Sequence, residues 1–468
     1  MKYSIVNYIS VKGNSDFRID AEFYYPDNLN KDRLLQKFPI MYFGDKVDIQ
    51  FGTTPNGANF MKKGIPFIRS QDFPNGFIDE ANLVFISEKD HLKQKKSALQ
   101  NKDILIAAVG ATIGKIGFCL NIKEGNINQN IARLRLNYNI NIFPEFLFVF
   151  MLSKFGQYQL GKLNTGNAQS YLNSQNIAAL SIVELKNDFQ EIIKNIVLKS
   201  NNFIEQSKSL YSQAEQLLLS ELRLSDWKPK QELAFVKNFS DAQKAERFDA
   251  EYFEPKYDEI IKAVKSYSNG WDIIGNVFRQ SKSIFKIADI DKTYKYVEIG
   301  SINVLSGEII PEIIKGIELP VNAKIKLYKD DILISKVRAY RGAITFVMDN
   351  DFIGSGAFTV LKEKGAINKE VLIAYFKSKP ILNLTFKYNT GTAYPTLFDS
   401  DILNMPIPIF KKEVQDAVKE KIQKSFKCRE LSKQLLEIAK RGVETAIEKS
   451  EEEAEKWINY NLTELNKT

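Results

Sequence analysis

The segment Arg18-Ile-Asp-Ala-Glu-Phe-Tyr-Tyr-Pro26 returns as Arg247-Phe-Asp-Ala-Glu-Tyr-Phe-Glu-Pro255, displaced by 229 residues. Two further stretches repeat in the same order. Asn101-Lys-Asp-Ile-Leu-Ile106 returns as Lys329-Asp-Asp-Ile-Leu-Ile334, and Asn164-Thr-Gly166 returns as Asn389-Thr-Gly391. Displacements of 229, 228 and 225 residues are whole-domain lengths, so the chain of 468 residues is a tandem duplication of one globular domain and its appendage.

Each repeat begins with a part that predicts a mixed α/β fold. Short runs of β-branched and aromatic residues, separated by Gly, Asn and Asp, predict strands. They lie at 104–109, 132–136, 332–337 and 358–361. Matching apolar runs at 146–154 and 371–379 predict helices that pack on the sheet. We therefore predict two duplicated domains with mixed β-sheets, at residues 1–186 and 231–410. The sequence leaves the strand order open.

Each repeat ends in a helical part. Residues 187–224 contain no Gly or Pro and place apolar side chains at intervals of seven, which predicts a long helix with a coiled-coil seam. The second copy occupies 411–468 and ends in an acidic tail, and residues 187–230 hold the first helix and a linker. Neither helix can bury its stripe alone, so we predict that the two pack together. The residues predicted for helix pairing or partner docking are Ile196, Phe203, Leu210, Leu217, Ile422, Leu431 and Leu435.

Composition and missing motifs argue against catalysis by this chain. The sequence has one histidine and two cysteines, which leaves no histidine-based metal site and no zinc site. It lacks the Asn-Pro-Pro-Tyr or Asp-Pro-Pro-Tyr of amino-methyltransferases, and Gly110-Ala-Thr-Ile-Gly-Lys-Ile116 departs from a phosphate-binding loop. From the missing motifs we predict a binding protein with no cofactor. Because no secretion signal or membrane-length apolar run is present, we also predict that it is cytoplasmic. His91 lies in a polar stretch and is predicted to be a surface residue.

Charge and loop chemistry point to nucleic acid. Residues 1–186 hold 22 Lys and Arg against 16 Asp and Glu, whereas residues 231–410 hold 24 against 23. Almost all of the positive excess therefore lies on the first domain, as expected if the globular domains contact phosphates. Its candidate DNA-binding residues are basic side chains and amides able to reach phosphates or adenine edges: Lys62, Lys63, Arg69, Gln71, Lys115, Asn128, Gln129 and Asn130.

In the turn after the repeated strand, the second domain keeps some residues of the first domain and has different side chains at the others. Val109 and Gly114 match Val337 and Gly342. The pairs that differ are Ala108/Lys336, Gly110/Arg338, Thr112/Tyr340, Ile113/Arg341 and Lys115/Ala343. The second-domain candidates supply phosphate contacts, a stacking face and bidentate donors to guanine: Lys336, Arg338, Tyr340 and Arg341. The pattern indicates a protein that binds two related but different targets.

The order of these motifs closely resembles the specificity subunit of type I restriction-modification systems. The resemblance covers the whole chain and rests on the repeated Asp-Ile-Leu-Ile strand, the glycine turns at Gly114 and Gly342, the Asn-Thr-Gly tripeptides and the heptad helices. It implies two target recognition domains, each reading one half of a bipartite asymmetric DNA sequence. It also implies antiparallel helices that set the spacing of the halves.

The resemblance further implies partners that do the chemistry. Two adenine methyltransferase subunits would dock on the helices and hold S-adenosylmethionine, and restriction subunits would use ATP. Two alternatives stay open on the sequence alone. One is the specificity subunit of a related system whose methylase and nuclease are fused in one chain, and the other is a coiled-coil scaffold with duplicated domains for a ligand other than DNA.

Overall fold

The computed structural model describes residues 6, 23–55, 57, 60–61, 63–80, 83–163, 171–229, 232, 234–304, 306–391 and 394–467, except the side chain at position 111. Within these residues no helix combines the length and the apolar character that crossing a membrane requires. The chain forms two compact units. Unit 1 comprises Met1–Ile204 with Glu430–Thr468, and unit 2 comprises Glu205–Arg429.

The first repeat contains six helices and nine strands among the described residues. In chain order they are α1 (Pro26–Leu35), β1 (Ile40–Tyr42), β2 (Val47–Phe51), β3 (Ile65–Ile68), β4 (Val84–Ile86), α2 (Glu88–Lys93), β5 (Ile104–Ala107), β6 (Ile116–Phe118), β7 (Asn126–Ile127), β8 (Ile131–Leu136), α3 (Pro144–Leu152), α4 (Lys154–Leu163), α5 (Ser174–Ala178), β9 (Ser181–Val183) and α6 (Asn187–Glu221).

The second repeat contains the corresponding elements. In chain order they are α7 (Phe239–Ala245), α8 (Pro255–Lys265), β10 (Trp271–Ile273), α9 (Ile274–Val277), β11 (Phe278–Gln280), β12 (Thr293–Val297), β13 (Glu312–Lys315), β14 (Ala323–Leu327), β15 (Ile332–Ser335), β16 (Ile344–Phe346), β17 (Phe352–Ser355), β18 (Phe358–Glu363), α10 (Lys369–Lys377), α11 (Lys379–Tyr388), α12 (Asp399–Asn404), β19 (Pro406–Pro408), α13 (Lys412–Glu448) and α14 (Glu451–Lys467).

The two repeats share the topology of the main sheet, and the second sheet of unit 2 has one strand more than that of unit 1. The main sheet has the order β2-β8-β5-β6 in unit 1 and β11-β18-β15-β16 in unit 2, and all of its pairs are antiparallel. A second sheet has the order β4-β3-β7 in unit 1 and β13-β12-β17-β14 in unit 2. In it, β3 pairs with β7, and β12 with β17, in parallel. The predicted mixed α/β fold and its duplication are confirmed.

The repeated Asp-Ile-Leu-Ile forms the same turn and strand in both units. Lys102 and Asp330 adopt left-handed backbone conformations, with φ of 73° and 70°. The next residue in each case caps the turn. The carboxylate of Asp103 accepts the Gln100 N–H at 2.7 Å, and the carboxylate of Asp331 accepts the Tyr328 N–H at 2.9 Å. These buried aspartates are therefore explained by turn chemistry.

The core of unit 1 is centred on α3, which packs against the main sheet. Pro144 stands in its first turn, where a missing N–H costs nothing, and every residue from Phe146 to Met151 is buried. The Phe148 ring stacks on Phe118 of β6 at 5.0 Å between centroids. In unit 2, α10 takes the same place, with the residues from Val371 to Phe376 buried.

The long helices α6 and α13 run antiparallel in both units. In unit 1, the Ser200 hydroxyl donates to the Ser432 carbonyl at 2.9 Å and lies 2.8 Å from the Ser432 hydroxyl. In unit 2, the Ser425 hydroxyl donates to the Ser207 carbonyl at 2.9 Å. Small serines let the helix backbones approach closely, and hydrogen bonds between them favour one register.

The most buried row of α6 differs from the predicted row over the middle of the helix, where it contains small residues. The residues of α6 with less than 2% exposure are Phe189, Gln190, Ile193, Val197, Ser200, Ser207, Ala214 and Leu218. Of the predicted residues, Ile196, Ile422 and Leu435 are buried, and Phe203 and Leu217 pack partly buried against the cores. Leu210 and Leu431 are half-buried and lie outside the apolar clusters.

The prediction that His91 is a surface residue is wrong. Its side chain is 6% exposed, Nδ1 hydrogen-bonds to the amide oxygen of Asn126, and Nε2 lies 2.9 Å from a carboxylate oxygen of Glu124. Both partners are more than thirty residues away in sequence, so the polar stretch around His91 did not reveal them. These two contacts of the imidazole ring connect α2 to the segment around β7.

Candidate nucleic-acid interface

In each unit the loops at one end of the main sheet lie together. In unit 1, β2 and β5 end where β6 and β8 begin, because Ala107 pairs with Ile131 and Phe51 with Ala132. The Asn128 N–H donates to the Ile68 carbonyl at 3.1 Å, which brings the loop after β3 to the same end. We name residues 52–55, 69–72, 108–115 and 128–130 the loop face of unit 1. Residues 281–283, 298–301, 336–343 and 355–357 form the loop face of unit 2.

Main-chain hydrogen bonds hold the two loop faces in the same way. In unit 1 these bonds are Ala108 N–H to Asn130 carbonyl at 2.8 Å, Ala107 N–H to Lys115 carbonyl at 2.9 Å, and Leu172 N–H to Ala108 carbonyl at 2.9 Å. In unit 2 they are Lys336 N–H to Ala357 carbonyl at 2.9 Å, Ser335 N–H to Ala343 carbonyl at 3.0 Å, and Leu397 N–H to Lys336 carbonyl at 2.8 Å. Because backbone atoms make these bonds, side chains here can vary without loss of the framework.

Arg69 forms an ion pair on the loop face of unit 1. Its guanidinium donates to both carboxylate oxygens of Asp72 at 3.0 Å, and Asp72 also accepts the Arg69 N–H at 2.8 Å. Lys63 and Gln71 are exposed, and Lys62 lies outside the described residues. The structure therefore fixes the direction of Arg69.

Lys115 lies beside this ion pair. Its ammonium is 5.5 Å from the centre of the Phe73 ring. Burial lowers the pKa of Lys115, and the nearby Asp72 carboxylate opposes that shift. Arg69 and Lys115 therefore share one aspartate, which leaves a net positive charge on this part of the loop face.

The amides between β7 and β8 are oriented by local hydrogen bonds. The Asn128 side-chain oxygen accepts the Asn130 N–H at 3.3 Å, and the oxygen of the exposed Gln129 accepts the hydroxyl of Thr54. One lone pair of the Gln129 oxygen is used by Thr54, and the amide keeps a second lone pair and two N–H donors. The N–H donors match the major-groove acceptors of guanine, adenine N7 and thymine O4.

The loop face of unit 2 presents Arg338 on an unusual backbone. Arg338 adopts φ of 50°, where the counterpart in unit 1 is Gly110 with φ of 69°. Its guanidinium lies 4.8 Å from the centre of the Tyr394 ring, and Tyr394 is 68% exposed. A left-handed arginine costs about 1–2 kcal/mol relative to the ordinary conformation. This cost marks the position as one where the side chain matters.

The side chains of the other unit 2 candidates differ in how far neighbouring residues engage them. Lys336 lies 3.4 Å from the Asp399 carboxylate, which also accepts the Thr359 hydroxyl at 2.5 Å. One face of the Tyr340 ring stacks on Phe386, with centroids 4.6 Å apart. Arg341 is exposed. All four candidates lie on one loop face, and Arg338 and Arg341 are the two arginines on it.

Sequence reasoning missed Thr54 on the first face and two tyrosines that adjoin the faces, Tyr171 and Tyr394. Tyr171 is 43% exposed and its backbone pairs with Val109. Thr396 pairs with Val337 in the same way, and it follows Tyr171 by 225 residues, the displacement of the Asn-Thr-Gly repeat. Extending that repeat by a few residues would have found the position.

Two of the repeated motifs meet in unit 2. The Arg247 guanidinium pairs with both oxygens of Asp249 at 2.7–2.8 Å and donates to the Asn389 carbonyl at 3.1 Å. Asn389 begins the second Asn-Thr-Gly, whereas 164–166 lie outside the described residues. This contact ties the start of the second repeat to the loop that carries Tyr394.

Among the described residues no group of three His, Cys, Asp or Glu side chains is placed to hold a metal ion. Both loop faces share guanidinium, ammonium and hydroxyl donors on loops held by main-chain bonds, and the face of unit 1 adds side-chain amides. Such groups suit phosphate oxygens and the acceptors on base edges.

Comparison with known proteins gives related findings. Residues 38–216 match the family model described as the type I restriction modification DNA specificity domain. The type I restriction enzyme EcoBI specificity subunit of Escherichia coli is 29% identical over 157 residues, which span 34% of this chain and 31% of that relative. The match thus covers about a third of the curated relative.

Two solved structures align with most of the chain. The S subunit of a type I restriction-modification system from M. genitalium aligns with 92% of this chain and 95% of its own, at 13% identity and a TM-score of 0.35. The HsdS subunit from Thermoanaerobacter tengcongensis aligns with 88% and 97%, at 12% identity and a TM-score of 0.27.

Proposed function

We propose, from the premise that this chain belongs to the family of type I restriction-modification specificity subunits, that it recognises a bipartite, asymmetric DNA sequence in the cytoplasm. Each loop face reads one half of the target. The chain itself is not catalytic. It positions two adenine methyltransferase subunits, which bind S-adenosylmethionine, and restriction subunits, which use ATP.

One observation carries the proposal: the same loop face occurs twice on equivalent main-chain bonds, with different side chains. Gln129 and Lys115 on the first face have no like residue at the matching positions of the second, where Arg338 stands in place of Gly110. A protein that reads two different half-sites needs a constant scaffold and variable base-contacting side chains. A scaffold for one repeated ligand would have no reason to vary them.

The paired helices support the spacing role. The serine bonds between α6 and α13 oppose sliding of one helix along the other, because sliding would leave buried hydroxyls without partners. A fixed register is what a spacer between two half-sites requires. Apolar residues on the outer faces of α6 and α13, such as Leu210 and Leu431, are candidates for docking the methyltransferase subunits.

Methylation mapping tests this proposal directly. In cells that express this chain with its cognate methyltransferase subunit, we expect methylated adenines at one bipartite sequence with a constant spacer. Gln129→Ala should relax preference in one half-site, and Arg341→Ala should relax preference in the other. A good bidentate contact to a base contributes about 1–3 kcal/mol of discrimination, so relaxation should be about fivefold or more where such a contact is lost.

The controls separate recognition from assembly. Lys244 is an exposed residue of α7 that belongs to neither loop face, and Lys244→Glu should leave the methylated sequence unchanged. Methylation that does not depend on this chain would contradict the proposed function. Variants of both loop faces that methylate the original sequence with unchanged preference would contradict the assignment of the faces.

A further inference from the structure

A basic groove runs along β11 and its continuation in unit 2. It has a cavity volume of about 260 Å³ and is lined by Arg279, Gln280, Ser281, Lys282, Ser283 and Lys362. Arg279 and Lys282 are exposed, and the hydroxyls of Ser281 and Ser283 lie 3.3 Å apart. Three cations and two hydroxyls therefore line one groove. Residues 281–283 belong to the loop face of unit 2, so the groove opens beside the proposed DNA contact.

Like charges face each other across the strands of this groove. Arg279 of β11 is the direct partner of Lys362 of β18. Like charges directly opposite in an antiparallel pair are destabilising. The buried carboxylate of Asp331 lies 3.2 Å from the Lys362 ammonium and offsets one positive charge. The charges of Arg279 and Lys282 remain at the mouth of the groove.

Unit 1 has opposite charges at the same place. The register aligns Ile49 with Gln280, because Ile49 pairs with Leu134 and Gln280 pairs with Leu361. The counterparts of Arg279 and Lys362 are therefore Asp48 and Arg135, which are also direct partners. Asp48 accepts a hydrogen bond from Arg133 as well. At this framework position unit 1 is self-neutralised, whereas unit 2 carries uncompensated positive charge.

We propose that the groove of unit 2 binds a backbone phosphate of the DNA next to the second half-site, an inference that rests on the proposed function. A phosphodiester brings one negative charge and oxygen acceptors, which match the guanidinium, the ammonium groups and the two hydroxyls. An anion between Arg279 and Lys362 relieves the repulsion that the free protein bears. Lys282 and the serine hydroxyls then supply the remaining donors.

The groove also accounts for how a nearly neutral domain holds a polyanion. Residues 231–410 carry almost equal numbers of positive and negative side chains, 24 against 23. Placing three of the positive charges around one cavity creates a local site without a large net charge. Residues 1–186 have the larger positive excess, 22 against 16, and lack this groove arrangement at the matching strand pair.

Arg279→Asp tests the proposal because it installs the residue that unit 1 has at this position. The assembled complex with its methyltransferase subunits is titrated against a duplex containing the mapped site, at several salt concentrations. We expect affinity to fall about tenfold and the salt slope of binding to decrease by roughly 1. The methylated sequence should stay the same, because phosphate contacts carry no sequence information.

Two further variants complete the experiment: Arg279→Gln as a neutral replacement and Lys244→Glu as a control. Arg279→Gln removes the charge without adding a carboxylate and should give a smaller loss of the same kind, and Lys244→Glu should leave the salt slope unchanged. Neither Arg279 variant should lower the thermal stability of the chain, because each removes a like-charge contact. A salt slope that is unchanged in both Arg279 variants overturns the proposal.

A third arm distinguishes a DNA phosphate from a small anion. Inorganic phosphate is titrated into the wild-type chain and into Arg279→Asp by calorimetry. Binding of millimolar or tighter affinity that depends on Arg279, together with an unchanged DNA salt slope, would assign the groove to a free anion and overturn the DNA assignment. If the wild-type complex showed no sequence-specific binding, the proposed function would fail. If it binds specifically and Arg279 has no effect, only the groove assignment fails.

Discussion

Units 1 and 2 have the same strand order in the main sheet and the same framework bonds at their loop faces, yet they differ at individual positions that these bonds leave free. Gly110 is matched by Arg338, Asp48 by Arg279, and the helix α2 by the strand β14. The comparison shows where the fold tolerates change. Side chains can change wherever main-chain atoms hold the structure, whereas the buried aspartates of the Asp-Ile-Leu-Ile turn remain, because their side chains make the turn.

The largest expected effect comes from a close backbone contact in unit 1. A Cβ atom on Gly52 would lie 2.0 Å from the Ile127 carbonyl oxygen and 2.3 Å from that of Asn128, whereas the matching position in unit 2 is Ser283. Gly52→Ala should therefore force the loop after β2 away from the loop face and cost about 3 kcal/mol. Hydrogen exchange of the full chain should show lost protection in β2, β7 and β8.

Ser283→Ala is the matched control for that change. It should leave the protection of β11, β17 and β18 unchanged, because no such backbone contact exists at that position of unit 2. Equal loss of protection in both units after Gly52→Ala would contradict the view that each unit is stabilised separately.

A substitution at the serine contacts between α6 and α13 should have the next largest effect on stability. Ser200→Leu places a large side chain where the backbones of α6 and α13 approach, and it removes the hydrogen bond to Ser432. Overpacking and the lost bond should together lower the free energy of unfolding by about 2 kcal/mol. Ser212 is exposed on the same helix, and Ser212→Leu should cost less than about 0.5 kcal/mol. Urea denaturation of the three proteins measures the difference.

Arg338→Gly tests the left-handed position in unit 2 by installing the residue of unit 1. Relief of the left-handed backbone, about 1 kcal/mol, offsets the greater freedom of glycine in the unfolded chain, so stability should change by less than roughly 1 kcal/mol. Discrimination in the second half-site should fall about tenfold. Arg338→Ala loses the same contact but keeps the backbone cost, so it should be the less stable of the two. Equal methylation preference in wild type and both variants would remove Arg338 from the interface.

A smaller, pH-dependent effect is expected in unit 2 at Lys387. Its ammonium donates to the Tyr252 carbonyl at 2.7 Å and lies 3.8 Å from the centre of the Tyr252 ring. Burial lowers the pKa of Lys387 to about 8, and the Asp258 carboxylate opposes that shift. The corresponding Lys162 in unit 1 pairs instead with the Asp32 carboxylate at 2.7 Å.

In the unfolded chain Lys387 regains its ordinary pKa of 10.5. Between pH 8 and 10 the unfolded state then binds more protons than the folded state, so stability should rise with pH, by roughly 1 kcal/mol per unit at most. Urea midpoints measured from pH 7 to 10 give the slope. Lys387→Met should remove it, and an identical slope in that variant would assign the dependence to another group.

Local patterns allowed much of the fold to be predicted. The repeated motifs identified the duplication, and the strands at 104–109 and 332–337 occur as β5 and β15, ending two residues earlier than predicted. Strand order depends on contacts between distant residues, and no local pattern encodes it. The seam of α6 includes Ser200 and Ser207, so a search for apolar residues at intervals of seven placed the predicted row beside it.

The candidate site was predictable in position but not in detail. The strand-turn-strand comparison located the loop that carries Arg338, because matched motifs flank it. The ion pair between Arg69 and Asp72 and the hydrogen bond from Thr54 to Gln129 depend on how loops fold back on each other. The charge reversal from Asp48 to Arg279 becomes visible only when strand register aligns the two units.

The division of the chain into units has a consequence for biosynthesis. Unit 2 is one continuous segment, whereas the core of unit 1 needs Leu435, Val443 and Ile458 from the last part of the sequence. A ribosome releases the chain from its N-terminus, and most domains fold in that order. Here the order is reversed: the second repeat can finish folding while Phe189 and Ile193 of the first still lack their partners. We expect the first repeat to be the one that depends on chaperones during translation.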